Sequence, residues 1–134
     1  MTITLSDQDK TTMRIAAYGA VTLLSAAGAA GGSPHKIATR GSIALGSGTG
    51  VVGHVLATYP KGKDLNGKSV AAIADRVLPA LTDAMSLLRD QAPQEADTFR
   101  GSVLTAIEAA IHDTKPSPVV NDMISKITKA LDAA

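Results

Sequence analysis

Met13-Arg-Ile-Ala-Ala-Tyr-Gly-Ala-Val-Thr-Leu-Leu-Ser-Ala-Ala27 is the stretch whose reading decides the fold. Met13, Ala16, Ala17, Ala20, Leu23, Leu24 and Ala27 recur at the three- and four-residue spacing of a helix. Ser6 stands where an N-cap is needed, and Asp7 and Asp9 complement the positive end of the helix dipole. Gly31-Gly32 ends the segment. The chain carries no charge from Ile15 to Pro34, and a second neutral run extends from Gly41 to Thr58 apart from His54. Length alone would let either run cross a bilayer. Both are built from Ala, Gly, Ser and Thr rather than Leu, Ile and Phe, and neither has an aromatic belt. The expectation is therefore a helix of a folded core, not of a membrane. As an export signal, Ile15–Ala30 with the small tripeptide Ala27-Gly28-Ala29 lacks a positive leader, because Asp7 and Asp9 oppose Lys10 and Arg14. A cytoplasmic location is expected.

Outward from this segment the chain reads as helices between strong breakers. Ser33-Pro34 supplies an N-cap and a proline at the first helical position. Ile37, Ala44, Leu45, Val52, Val55 and Leu56 keep helical spacing beyond it, which favours one continuous second helix through the glycines of Gly41–Gly50 over a broken helix with a loop near Gly46–Gly50. Its small-residue face, Ser42, Gly46, Thr49, Gly53 and Ala57, would let another backbone approach closely. Asp64 or Asn66 could cap a third helix with the stripe Val70, Ile73, Ala74, Val77, Leu81, Met85 and Leu88. Pro79 lies inside that stripe and removes the N–H that would bond to the Asp75 carbonyl, so a kink is expected near Asp75–Leu78. Ala92-Pro93 and Ser117-Pro118 start two more helices, with Phe99, Val103, Ala106, Ile107, Ala110 and Ile111 on one face and Val120, Ile124, Ile127 and Leu131 on the other. No segment shows sustained strand alternation. The fold class expected is all-α, one domain over residues 1–134, a bundle of five helices.

Composition narrows the chemistry. The 134 residues contain no Cys, which excludes a disulfide scaffold, thiolate metal sites and cysteine catalysis. Aromatics amount to 2%, Tyr18, Tyr59 and Phe99, so the core is built from aliphatic side chains and there is no platform for stacking nucleic-acid bases. No nucleic-acid partner is expected.

Two phosphate-binding patterns occur. Gly62-Lys-Asp-Leu-Asn-Gly67-Lys68-Ser69 fits G-x-x-x-x-G-K-[ST], where the lysine would reach phosphates and the serine would hold magnesium. Asp64 would place a carboxylate in that cradle, and the preceding segment reads as helix where a strand is required. Gly48-Thr-Gly50-Val-Val-Gly53 fits G-x-G-x-x-G, but the strand–turn–helix setting is missing and Asp64 comes too soon to serve the ribose. Both read better as loop and packing features. His35, His54 and His112 fall in no H-E-x-x-H or H-x-x-x-H pair, so no metal and no cofactor is expected. No G-x-S-x-G and no carboxylate pair suited to acid–base work occurs, and no catalytic residue is assigned.

The formal net charge of +1 conceals an asymmetry. Residues 1–68 hold seven basic and three acidic side chains, a balance of +4, and the remainder holds six basic and nine acidic, a balance of −3. Lys61, Lys63, Lys68 and Ser69 share one loop, while His35, Lys36 and Arg40 open the second helix. Together with His54 they would form a site for a small anionic or phosphorylated ligand. The leading expectation is instead a non-enzymatic module that self-associates or meets a protein partner through Gly46, Gly50, Gly53 and Ala57.

Ser6-Asp-Gln-Asp-Lys-Thr-Thr12, Ala16-Ala-Tyr-Gly-Ala20, Ser33-Pro-His-Lys-Ile-Ala-Thr39 and Asp64-Leu-Asn-Gly-Lys-Ser-Val70 resemble stretches of small helical actinobacterial proteins of unknown function. The resemblance spans most of the chain. It implies a soluble, intracellular helical domain and brings no activity and no site residues.

Overall fold

A computed structural model describes residues 4–29, 34–60, 69–112, 114 and 117–134. Those residues form six helices: α1 (Asp7–Ala27), α2 (Pro34–Gly46), α3 (Gly50–Leu56), α4 (Val70–Gln91), α5 (Pro93–Ile111) and α6 (Pro118–Asp132). They pack as an all-helical bundle, and no strand occurs among the described residues.

α1 is the axis of the bundle. Its start is fixed by a reciprocal cap: the Asp9 N–H donates to Ser6 Oγ at 3.0 Å, and the Ser6 N–H donates to Asp9 Oδ2 at 3.2 Å. Every residue from Ile15 to Val21 is buried, so the helix has no solvated face there. A helix that is apolar all round belongs inside a core or a membrane. Here the other helices surround it. No helix among the described residues is long and apolar enough to cross a membrane.

The small side chains of α1 permit this crowding. Gly19 lies against Val77 of α4, where an added Cβ would come within 2.4 Å of Val77 Cγ2. Gly41 of α2 lies against Val21 in the same way, at 2.7 Å from Val21 Cγ1. The approaches of α4 and α2 to α1 are thus made through Gly19 and Gly41, while Gly53 of the expected small-residue face meets Gly48 within the α2–α3 link.

The favoured continuous second helix is corrected, and the alternative break near Gly46–Gly50 is what forms. α2 stops at Gly46, and Ser47–Thr49 separate it from α3. Gly50 has φ +75, a left-handed conformation that a right-handed helix does not continue through. The Ser47 hydroxyl donates to the Ile43 carbonyl at 2.6 Å and helps close the last turn of α2. Gly53 then folds back on the link. A Cβ there would lie 2.3 Å from the Gly48 carbonyl carbon. The glycines therefore make a corner, and the bundle has six helices rather than five.

α4 corresponds to the expected third helix and runs unbroken through Pro79. Pro79 and Asp75 are both exposed, so the carbonyl that loses its helical partner belongs to the solvated side. Ser69 caps α4, accepting from the Ala72 N–H at 3.2 Å. The alternative caps, Asp64 and Asn66, lie outside the described residues. Ser117 caps α6 similarly, accepting from the Val120 N–H at 3.2 Å. Thr82 Oγ1 of α4 donates to the Ala130 carbonyl at 2.7 Å, and Arg100 of α5 grips Asp132 with two hydrogen bonds of 2.9 and 3.3 Å. Phe99, the one phenylalanine of the sequence, is fully buried.

Two substitutions test this packing by urea denaturation. Gly19→Ala is expected to destabilise by about 1–3 kcal/mol through overpacking against Val77. Combining it with Val77→Ala should cost less than the sum of the two single changes, since the new methyl occupies part of the vacated space. Gly50→Ala is expected to cost about 1–2 kcal/mol although nothing lies within 4 Å of its Cβ position, because the backbone conformation is the obstacle. Gly50→Asn should cost less.

Candidate functional site

Three constellations stand out on the surface. The first joins α1 to the end of α3. Arg14 and Tyr18 are one helical turn apart on α1 and reach the carbonyls of the last two residues of α3. Arg14 Nε donates to the Val55 carbonyl at 2.9 Å, and the Tyr18 hydroxyl donates to the Leu56 carbonyl at 2.5 Å. Tyr59 covers Tyr18 edge-on, with ring centroids 4.7 Å apart and planes inclined at 62°. Burial raises the Tyr18 pKa above its ordinary value of 10.0, the Tyr59 phenol adds to that rise, and the Arg14 guanidinium opposes it. These contacts tie α3 to α1.

The second constellation is a groove between α2 and α5. The two helices run antiparallel along it. Arg40, Ile43 and Ala44 line one end with Ala109 and His112, enclosing about 360 Å³. Ala44, Ser47 and Gly48 line the other with Thr98, Gly101, Ser102 and Thr105, enclosing about 500 Å³. Ile43 stands on the rim and is 64% exposed. It lies off the buried stripe of α2, which is Ile37, Gly41 and Leu45. Asp97, also exposed, is next in sequence to Thr98 at the second end.

The third is a groove of about 490 Å³ between the start of the chain and α3, lined by Thr4, Leu5, Lys10, Gly50, Val51, His54 and Val55. His54 is exposed on α3. Val52, Val55 and Leu56 form the buried side of α3, and His54 lies off it.

Among the described residues, the expected ligand residues fall in separate places. His35 and Lys36 are exposed on the first turn of α2. Arg40 belongs to the α2–α5 groove and His54 to the groove beside Lys10. Lys61, Lys63 and Lys68 lie outside the described residues. Ser69 is engaged as the cap of α4. Of the expected contact residues, Gly46 and Gly50 are exposed, Ala57 is exposed at the end of α3, and Gly53 is buried against Gly48 of the same chain. Among the described residues no group of three or more His, Asp or Glu side chains could hold a metal ion.

Sequence reasoning missed Ile43 and Lys10. Ile43 carried a usable signal, as the one large aliphatic residue of α2 two positions off its stripe. Lys10 carried none, because its groove is made by a segment distant in sequence. Comparison with family models, curated proteins and solved structures found no match. The resemblance to small actinobacterial helical proteins therefore gains no support from them.

Tyr18 offers the test of the α1–α3 link. Tyr18→Phe leaves the Leu56 carbonyl without its donor and is expected to cost about 1–3 kcal/mol. The raised pKa also sets a pH dependence. The folded state holds the phenolic proton more tightly than the unfolded state does, so this contribution is complete below pH 10 and is lost as the pH rises through the folded value. Denaturation at a series of alkaline pH values should show that loss in the parent chain and a shallower loss in Tyr18→Phe.

Proposed function

We propose that this chain is a helical interaction domain that pairs with a second copy of itself across the α2–α5 groove. The observation that carries the reading is Ile43, a large aliphatic side chain held 64% exposed on the rim of a mostly apolar groove. The face has both parts of a self-complementary contact. Ile43 is a projection, and the hollow floored by Gly48, Gly101 and Ser102 lies further along the same groove. A two-fold axis through the middle of the groove, near Ala44 and Thr105, sets the Ile43 of each copy toward the hollow of the other.

Charge supports the same arrangement. The Ile43 end carries Lys36 and Arg40 against Glu108, and the hollow end carries Asp97, whose neighbour Arg100 is already paired to Asp132. Antiparallel pairing brings each basic end to the acidic end of the partner copy, which favours this register over a parallel one. The burial of one isoleucine per copy contributes about 1.5–3 kcal/mol each, so the pair is expected to be reversible rather than obligate.

Sedimentation equilibrium tests the reading. The parent chain should show a concentration-dependent dimer, and Ile43→Asp should be monomeric with unchanged helical circular dichroism. A parent chain that stays monomeric at high concentration, or an Ile43→Asp variant that dimerises as well as the parent, would contradict it.

A further inference from the structure

We infer that the groove between the N-terminal segment and α3 binds a small amphiphilic anion, a carboxylate carried on a short apolar body. Its floor and walls are the apolar parts of Leu5, Val51 and Val55, with the bare backbone of Gly50 at one side. Lys10, the Thr4 hydroxyl and His54 are the polar groups that line it. Its volume of about 490 Å³ lies within the roughly 300–1,000 Å³ range of small-molecule sites.

The charge environment selects the sign of the ligand. No acidic residue occurs between Asp9 and Asp64, so the whole of α2, the link and α3 is free of carboxylates. On the α1 side the acids are Asp7, exposed on the first turn, and Asp9, whose Oδ2 already accepts from the Ser6 N–H and from Gln91 Nε2 at 3.4 Å. The neighbouring cation Arg14 is committed to the Val55 carbonyl. Lys10 and His54 make no ion pair and no side-chain hydrogen bond among the described residues, which leaves their donors for a ligand. The Lys10 ammonium offers three N–H groups, and the His54 ring offers one when neutral and two when charged. A carboxylate accepts from several donors at once, while a cation would meet the like charge of the Lys10 ammonium. The apolar floor adds affinity for a short aliphatic chain, which a bare inorganic anion would not exploit.

The probe is hexanoate, titrated into the whole chain and followed by amide chemical shifts, with hexylammonium and hexanol as matched controls. Hexanoate should produce saturable shifts concentrated at Leu5, Lys10, Val51, His54 and Val55. Lys10→Gln and His54→Gln should each weaken its binding by about tenfold while leaving the spectrum of the folded protein otherwise intact. Acetate should bind more weakly than hexanoate at the same residues. The inference is overturned if hexanoate gives no saturable shift, if hexylammonium or hexanol binds there as tightly, or if both glutamine variants bind hexanoate like the parent. This readout is independent of the oligomeric state, so it stands or falls apart from the pairing proposed above.

Discussion

The structure depends on enclosing α1 on every side. A helix with a solvated face can be packed from one direction and tolerates large side chains toward its neighbours. α1 has no such face between Ile15 and Val21, and helices on all sides must come near it at once. That geometry explains the sequence of the segment. Ala16, Ala17, Gly19 and Ala20 keep the cylinder narrow, while Met13, Leu23 and Leu24 fill the wider space toward its ends. Gly19 receives Val77 of α4, and Val21 is received by Gly41 of α2. Small residues bury little apolar area each, and the close approach they permit replaces some of that loss with dispersion contacts between neighbouring helices.

The remaining polar groups follow from the same enclosure. An interior helix can carry hydroxyls only if they find partners nearby. Thr22 Oγ1 donates to the Tyr18 carbonyl, and Ser25 Oγ donates to the Pro34 carbonyl at the start of α2. Tyr18 reaches across to α3. Among the described residues no buried side-chain nitrogen or oxygen is left without a partner. Chemistry is thereby displaced to the surface, where the two grooves lie. One is bounded by α2 and α5 and is mostly apolar, and the other pairs an apolar floor with Lys10 and His54. The acid-free run from Lys10 to Lys63 gives the second groove its sign.

Much of the fold was legible in the sequence, and the parts that were not share a cause. The stripe of α1 is buried residue for residue, and Phe99, Val103, Ala106, Ile107 and Ala110 of α5 are buried as periodicity predicts. Ser6, Ser117 and the prolines at the starts of α2, α5 and α6 mark helix starts correctly, because capping is decided by near neighbours. The corner at Gly46–Gly50 was misread because apolar spacing survives it: Leu45, Val52 and Val55 are buried on both sides of the break. Periodicity reports which residues are inside and is silent on a change of direction. The decisive feature, the left-handed Gly50, is a backbone property that the spacing of side chains does not encode. The candidate sites were harder still. Arg40 and His112 line one groove, and Lys10 and His54 another, only because helices distant in sequence pack together.

The enclosure of α1 is most directly tested by native-state hydrogen exchange. The amides from Ala16 to Leu24 should exchange only through global unfolding, with opening free energies equal to the stability measured by denaturation, while those of α3 exchange through smaller openings. Exchange in the middle of α1 as fast as in α3 would contradict an axis buried on all sides.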